Sequence, residues 1–336
     1  MQETVLILGA NGRFGRVAAQ AFAKAGWRVI AQARRPLADQ PTPGGITQLH
    51  VDAADTGTVV AAAREARVVV NAMNPIYTQW DTEALALNAS AIAVARRLGA
   101  TLMLPGNVYN FGDTLAAVLT EESPQNPTNR KGEIRCAMEA AMCEEGLRSI
   151  VVRAGDFFGG DGMGTWFDQA VVKDIRKGKI TYPGALNVIH EWAYLPDLAQ
   201  TFVLLAQVRG TLAPHDTFHF PGHAITGQAL VDRLTQSARA LNILAADQQT
   251  RIGTIPWPLV RLVGLVHPMW RELARMRYLW QRPHQLASTR LGQVIGTVPH
   301  TPMPQALTHA LQAWLLNQPG TGPRKVRIQS TSSVRI

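Results

Sequence analysis

What this chain lacks narrows the field first. It has two cysteines, Cys136 and Cys143, on one predicted helix and outside any Cys-x-x-Cys or Cys/His cluster. A disulfide framework and a zinc site are therefore not expected, and the reading is cytoplasmic. No long run of uncharged apolar residues occurs, so no membrane-spanning helix is expected. Met1-Gln2-Glu3-Thr4 carry neither the basic start nor the apolar core of a signal peptide. His219 and His223 lie on a strand and turn without carboxylates at ligand spacing, so no metal is expected there either. Aromatics are missing from the end of the chain. Arg324, Lys325, Arg327 and Arg335 supply four of the net +9 charges there with no acid among them, after the helix-breaking Pro319-Gly320-Thr321-Gly322-Pro323. Residues 318–336 read as a flexible basic tail. Without interleaved stacking aromatics, nucleic-acid binding is not expected, and a basic surface suits the attraction of an anionic dinucleotide.

What is present is enough for a large core: 336 residues, 46% of them hydrophobic. Val5–Leu8, Val29–Ala33, Val68–Ala72, Thr101–Leu104 and Ile150–Arg153 are short apolar runs without polar alternation, as in a sheet covered on both faces. Arg13–Ala25, Thr56–Glu65, Asp81–Leu98 and Arg130–Glu145 read as the helices between them. Repeated units of this kind predict an α/β fold with a doubly wound parallel sheet. After the glycine-rich Gly159–Gly164 the pattern changes: a helix from about Trp166 to Lys177, a strand Ile180–Tyr182, a helix Tyr194–Val208, a strand Phe218–Phe220, then a mostly helical stretch from Thr226 to about Leu316. The expected domains are 1–159 for the dinucleotide and 160–317 for a smaller, mostly helical substrate lobe, with 190–220 returning to the sheet.

Gly9, Gly12 and Gly15, in Gly9-Ala10-Asn11-Gly12-Arg13-Phe14-Gly15, follow a strand and open a helix. That context calls for a tight turn, close approach of backbone to a pyrophosphate and helix amides facing phosphate. The Gly-x-x-Gly-x-x-Gly spacing resembles the Rossmann motif of the atypical and extended short-chain dehydrogenase/reductases. The resemblance extends to Asp52, where the family's aspartate reaches the adenine, to Asn71-Ala72 beside the adenosine, and to Asn88. The second strand ends in Ala33-Arg34-Arg35 with no acid before Asp39. Arg34, with Arg13 in the loop, therefore suits the 2′-phosphate of NADP(H) better than the 2′-hydroxyl of NAD.

The same family places a catalytic serine after the fifth strand and a Tyr-x-x-x-Lys pair on the following helix. Here the stretch reads Asn107-Val108-Tyr109, the tyrosine position is Lys131 and the lysine position is Arg135, with Glu139 fixing the register. Lys131, Arg135 and Glu139 reproduce three positions of the Lys-x-x-x-Arg-Arg-x-x-Glu helix of isoflavone-reductase-like enzymes, where the lysine moves the proton; Cys136 stands where the second arginine would be. Positions 131 and 135 share a helix face, and burial of a lysine beside an arginine disfavours its charged form. The resemblance thus implies Lys131 as acid or base, with Arg135 and Tyr109 orienting or polarising.

Asn107, Trp166, His190 and Trp192 are the expected substrate-lining residues. Trp257–Trp280, rich in Leu, Trp and Arg, has the composition of a basic amphipathic surface helix, but Pro268 splits it, which favours a helix pair packed over the cleft. The function expected is an NADP-dependent oxidoreductase acting on a small apolar or aromatic carbonyl or conjugated molecule. Two alternatives stay open: a non-catalytic NADP-sensing regulator, and an epimerase or isomerase with retained cofactor. Expected partners are the small-molecule substrate and, where self-association occurs, a second copy in a homodimer. Neither nucleic acid nor stable membrane insertion is expected.

Overall fold

A computed structural model describes residues 2–36, 44–143, 146–162 and 164–318, so the basic tail from residue 319 lies outside the described residues. The chain opens with β1 (Thr4–Leu8), α1 (Arg13–Lys24), β2 (Arg28–Ala33), β3 (Ile46–His50), α2 (Thr56–Ala62), β4 (Val68–Asn71), α3 (Leu85–Leu98) and β5 (Thr101–Gly106). A two-residue β6 (Val118–Leu119), α4 (Arg130–Ala141) and β7 (Ser149–Arg153) follow. Beyond them come β8 (Asp156–Phe158), β9 (Lys179–Tyr182), β10 (Ile189–Tyr194), α5 (Leu195–Val208), β11 (His215–His219), β12 (His223–Thr226) and α6 (Gly227–Ala240). The last elements are β13 (Arg251–Thr254), α7 (Trp257–Gly264), α8 (Pro268–Arg275), β14 (Gln285–Leu286), α9 (Thr289–Ile295) and α10 (Met303–Leu316).

Seven parallel strands form the central sheet in the order β11-β7-β5-β4-β1-β2-β3. Its strands alternate between two cores, as a sheet buried on both faces must. Leu6, Leu8, Ile30 and Val69 face α2, α3 and α4, whereas Val5, Ile7, Val29 and Val70 face α1 and α5. This is the expected doubly wound α/β fold. Strand order reverses at β1, so the carboxyl ends of β1 and β4 open a crevice where such sheets bind ligands. The chain returns to this sheet late: α5 packs beside α1, and β11 joins β7 in register His215 to Ser149.

The second lobe has its own core, in which Phe158, Phe167, Tyr182, Trp192 and Trp280 are almost fully buried. Three local departures from the sequence reading have physical causes. β3 was hidden because it is a half-exposed edge strand carrying Thr47, Gln48 and His50. The helix expected from Trp166 to Lys177 is instead one π turn, Phe167–Val171, and one 3-10 turn, Ile175–Lys177. Asp168 draws in the amides of Gly164 and Thr165, at 3.2 and 3.1 Å, which fixes the entry to that π turn. The helix expected from Asp81 likewise begins as a π turn, Trp80–Ala84.

Candidate active site

The crevice at the switch point continues into a cleft of about 1750 Å³ that runs from the glycine loop to α7 and α8. A single drug-sized ligand occupies roughly 300–1,000 Å³, so this cleft has room for two molecules.

Its first end is built from backbone. Gly9 has φ +78°, and a Cβ there would stand 2.9 Å from the backbone of Met73. A Cβ on Gly15 would lie 2.4 Å from the Gly9 carbonyl oxygen, which itself accepts the Gly12 amide at 2.9 Å. The buried Gln32 accepts from the Gly9 amide at 3.0 Å and donates to the Val51 carbonyl at 2.6 Å, tying together the ends of β1, β2 and β3. Asn11 donates to the Arg35 carbonyl at 2.7 Å, while its Oδ1 is buried without a partner among the described residues. Phe14 sets its ring edge-on to Phe202 at 4.8 Å and so docks the first turn of α1 on α5.

Around this loop the expected cofactor residues divide into two groups. Arg34 and Asp52 are exposed at the cleft wall, and Ala72 lines it. Asn71 is buried: it donates to Asn88 at 3.1 Å, and Asn88 donates to the Met138 carbonyl, so the pair fastens β4 to α3 and α4. Arg13 borders the cleft but is already engaged. Its guanidinium pairs with Asp168 and donates twice to the Gly159 carbonyl at 3.1 Å. These contacts tie α1 to the second lobe.

At the centre, Asn107 accepts the Tyr109 amide at 3.0 Å and shapes the turn after β5. The Tyr109 and Tyr77 hydroxyls are 2.6 Å apart. Burial raises both: the Tyr77 phenol is pushed up to about 12, and Tyr109 stands well above the ordinary phenol range. Arg135 lies on the same wall, stacked over Trp80 at 4.8 Å and donating to the Pro105 carbonyl at 3.3 Å. Burial lowers its guanidinium pKa.

Lys131 requires a correction. It is 3% exposed and does not line the cleft. Its ammonium is held 2.6 Å from Glu272 on α8 and donates to the Tyr77 carbonyl at 2.8 Å. The face shared with Arg135 is real, since both cations sit on the Trp80 ring, but only the arginine reaches the open side. Glu139 accepts three hydrogen bonds from Arg153, the shortest 2.7 Å, within the core.

At the far end, Trp166 lines the cleft, packed against Trp257 and Trp280. His190 and Trp192 do not line it, and both are nearly fully buried. The reason is alternation on β10: these positions face the second-lobe core, where His190 stacks on Trp280 at 4.1 Å. His190 acts on the cleft only through Asp156, a cleft-wall carboxylate 2.9 Å from its Nε2. Tyr77, Asp156 and Glu272 escaped the sequence reading. The one available signal is Asp156, three residues beyond the apolar run Ile150–Arg153. Among the described residues no cluster of His, Cys, Asp and Glu has the shape of a metal site.

The family model for the RmlD substrate binding domain matches residues 3–239. Solved structures with a similar fold include MoeE5 in complex with UDP-glucose and NAD, at 16% identity and TM-score 0.68, covering 92% of this chain and 98% of that one. The Bordetella bronchiseptica enzyme WbmH in complex with NAD+ shares 16% identity at TM-score 0.70, covering 94% and 98%. L-threonine dehydrogenase from Clostridium difficile shares 13% at TM-score 0.72, covering 93% and 98%. No curated protein sequence matches the chain.

Proposed function

The chain belongs to the RmlD substrate binding domain family, and from that premise we propose that it is an NADP(H)-dependent oxidoreductase reducing a mainly apolar or aromatic carbonyl or conjugated substrate. One observation carries the reading: a glycine cradle, a hydrogen-bonded pair of phenols with an arginine, and a tryptophan-lined wall share one cleft. The cradle fits a dinucleotide. Gly9 and Gly15 leave no room for a side chain, α1 offers its amide end, and the unpartnered Asn11 Oδ1 awaits a donor. Gly9, Asn11, Gly12, Phe14, Gly15, Asp52, Asn71 and Ala72 would hold it, with Arg34 on the 2′-phosphate. When bound, the cofactor supplies the hydride.

The chain's own part is the proton and the charge. Burial keeps Tyr109 and Tyr77 protonated at neutral pH. A phenol in that state donates a hydrogen bond to a carbonyl oxygen and gives up its proton as that oxygen becomes an alkoxide, which is far more basic than phenolate. Tyr77 holds the Tyr109 hydroxyl in place, and Arg135 stabilises negative charge developing on the same wall. Lys131 is a positioning residue, fixing the Tyr77 backbone and α8.

Two exposed lysines of the cleft wall, Lys173 and Lys179, favour a second reading in which the substrate carries an anionic group such as a sugar-linked diphosphate. Epimerisation with retained cofactor would then leave oxidised dinucleotide in the purified protein. The test is NADPH consumption across carbonyl and conjugated compounds, with Tyr109→Phe alongside. Turnover should fall ~10²–10⁴-fold in that variant while NADPH affinity holds. Tight NADPH binding with no consumption in the parent would favour the sensing role instead.

A further inference from the structure

The surface is uneven in a way the reaction does not use. Of the eleven large apolar side chains exposed among the described residues, five belong to one hairpin: Leu259 and Leu262 on α7, Leu265 and Val266 in the turn, and Trp270 on α8. Leu265 and Val266 at the tip are 74% and 86% exposed. The hairpin is closely packed. Gly264 lets the helices approach, since a Cβ there would lie 3.0 Å from the Arg271 backbone, and Pro268 starts α8 with a fixed φ. Its inner side is anchored by Glu272 to Lys131 and by the Trp257 indole, which donates to the Pro183 carbonyl at 2.7 Å. The apolar tip is thus held outward on a rigid base.

Charge says what such a tip meets. After Asp247 the sequence has eleven Lys and Arg and one acid, Glu272, a balance of +10 against −1 for all that precedes it. Glu272 is buried and shared between Lys131 and Arg275. Around the tip, Arg261 and Arg271 are exposed, Arg282 is exposed farther along, and no exposed acid offsets them from Arg251 to Gln318. A second copy pairing through this face would set arginine against arginine. An apolar point ringed by guanidinium groups matches instead a layer of acyl chains topped by phosphates, with the arginine stems lying along the apolar surface and Trp270 at the boundary. No described helix is long and apolar enough to cross a membrane, so contact would be superficial. Leu259 and Trp270 also line the cleft, which makes its apolar end continuous with the tip.

We propose that the α7–α8 hairpin docks the protein reversibly on an anionic lipid bilayer, Leu265 and Val266 entering the acyl region and Arg261 and Arg271 meeting lipid phosphates. This goes beyond the proposed reaction and is read without it. The full chain is sedimented with vesicles of phosphatidylcholine alone, or with about a quarter phosphatidylglycerol. The parent should bind the anionic vesicles and lose that binding as salt rises. Leu265→Asp with Val266→Asp should weaken it at least roughly tenfold, and Arg261→Gln with Arg271→Gln should flatten the salt dependence. Both variants should keep the parent's melting temperature and NADPH affinity. The proposal is overturned by no binding to anionic vesicles, by equal binding to neutral ones, or by tip variants that bind like the parent. It is overturned also if the parent is a dimer that the tip substitutions split.

Discussion

The two ends of the cleft are held by different means. At the cofactor end the backbone itself is the surface: Gly9 and Gly15 pack against carbonyls and Cα atoms, and Gln32 ties three strands beneath them. At the substrate end the wall consists of side chains on α7 and α8, and a buried ion pair, Lys131–Glu272, holds it to the first domain. A backbone cradle has no tolerance for an added methyl group. A wall of Leu, Met and Trp accepts exchanges of similar volume at small cost. In the proposed reaction the first end would fix the class of cofactor, and the second would leave the substrate adjustable.

The largest effect should come from breaking the clamp between the ends. Lys131→Ala leaves the Glu272 carboxylate buried, with only the half-exposed Arg275 at 2.7 Å to answer it. Stability should fall by about 3 kcal/mol in urea unfolding, and Lys131→Met with Glu272→Leu should recover most of that, since two apolar residues carry no uncompensated charge. If Lys131→Ala unfolds like the parent yet loses turnover, the ammonium leaves its pair and works in the cleft, as the helix-face reading of the sequence expects.

That contrast also explains what the sequence disclosed. The cofactor end is contiguous: the flanking strand, the glycines and the helix follow one another between Thr4 and Lys24, and their spacing carries the geometry. The centre of the cleft is assembled across the chain, with Tyr77 beside Tyr109 and Lys131 beside Glu272. No local pattern announces such pairs. Lys131 and Arg135 look equivalent on a helical wheel, and only the packing of Tyr77 and α8 decides that one is capped and the other open. His190 and Trp192 sit on a strand whose facing no local pattern discloses, because β10 runs nearly all buried without polar alternation.

Next in size is the cradle itself. Gly15→Val puts a branched side chain where a single Cβ already meets the Gly9 carbonyl oxygen at 2.4 Å. Dinucleotide affinity should fall ~100-fold or more, about 2.7 kcal/mol, in a fluorescence titration. Trp270→Ala at the other end should leave that affinity within about twofold and raise the KM of an aromatic substrate. Comparable losses of cofactor affinity from both would mean that the ends are not independent.

Stability should also answer to pH through buried groups that lie away from the glycine cradle. Burial raises the Glu191 carboxyl to about 7, although it accepts the Gly222 amide at 2.7 Å and the Leu286 amide at 3.1 Å. A raised folded-state pKa gives stability that is full below the unfolded value, near 4.5, and is lost as pH rises through 7. His219, His223 and His284 run the other way. Burial lowers them to about 4, 4 and 3, so the stability they confer is present above 6.5 and lost as pH falls. Glu191→Gln should abolish a decline on the order of 2 kcal/mol between pH 5 and 8 and leave the acid limb intact. An unchanged profile would show that Glu191 is ionised throughout.

The smallest effect tests the cofactor end at its most exposed point. With Arg13 committed to Asp168 and Gly159, reading of a 2′-phosphate falls to Arg34, at the end of β2 and followed in the sequence by Arg35 and Pro36 rather than by an acid. A solvated guanidinium opposite a phosphate contributes less than a buried pair, because water and salt screen it. NADPH should therefore bind about tenfold tighter than NADH, a difference of about 1.4 kcal/mol. Arg34→Asp should reverse that order by repelling the phosphate and accepting the ribose hydroxyl, whereas Arg13→Ala should lower the melting temperature, by freeing the buried Asp168, more than it alters the preference. A preference lost in Arg13→Ala and kept in Arg34→Asp would return the phosphate to the glycine loop. It would also mean that the Asp168 pair opens when the dinucleotide enters.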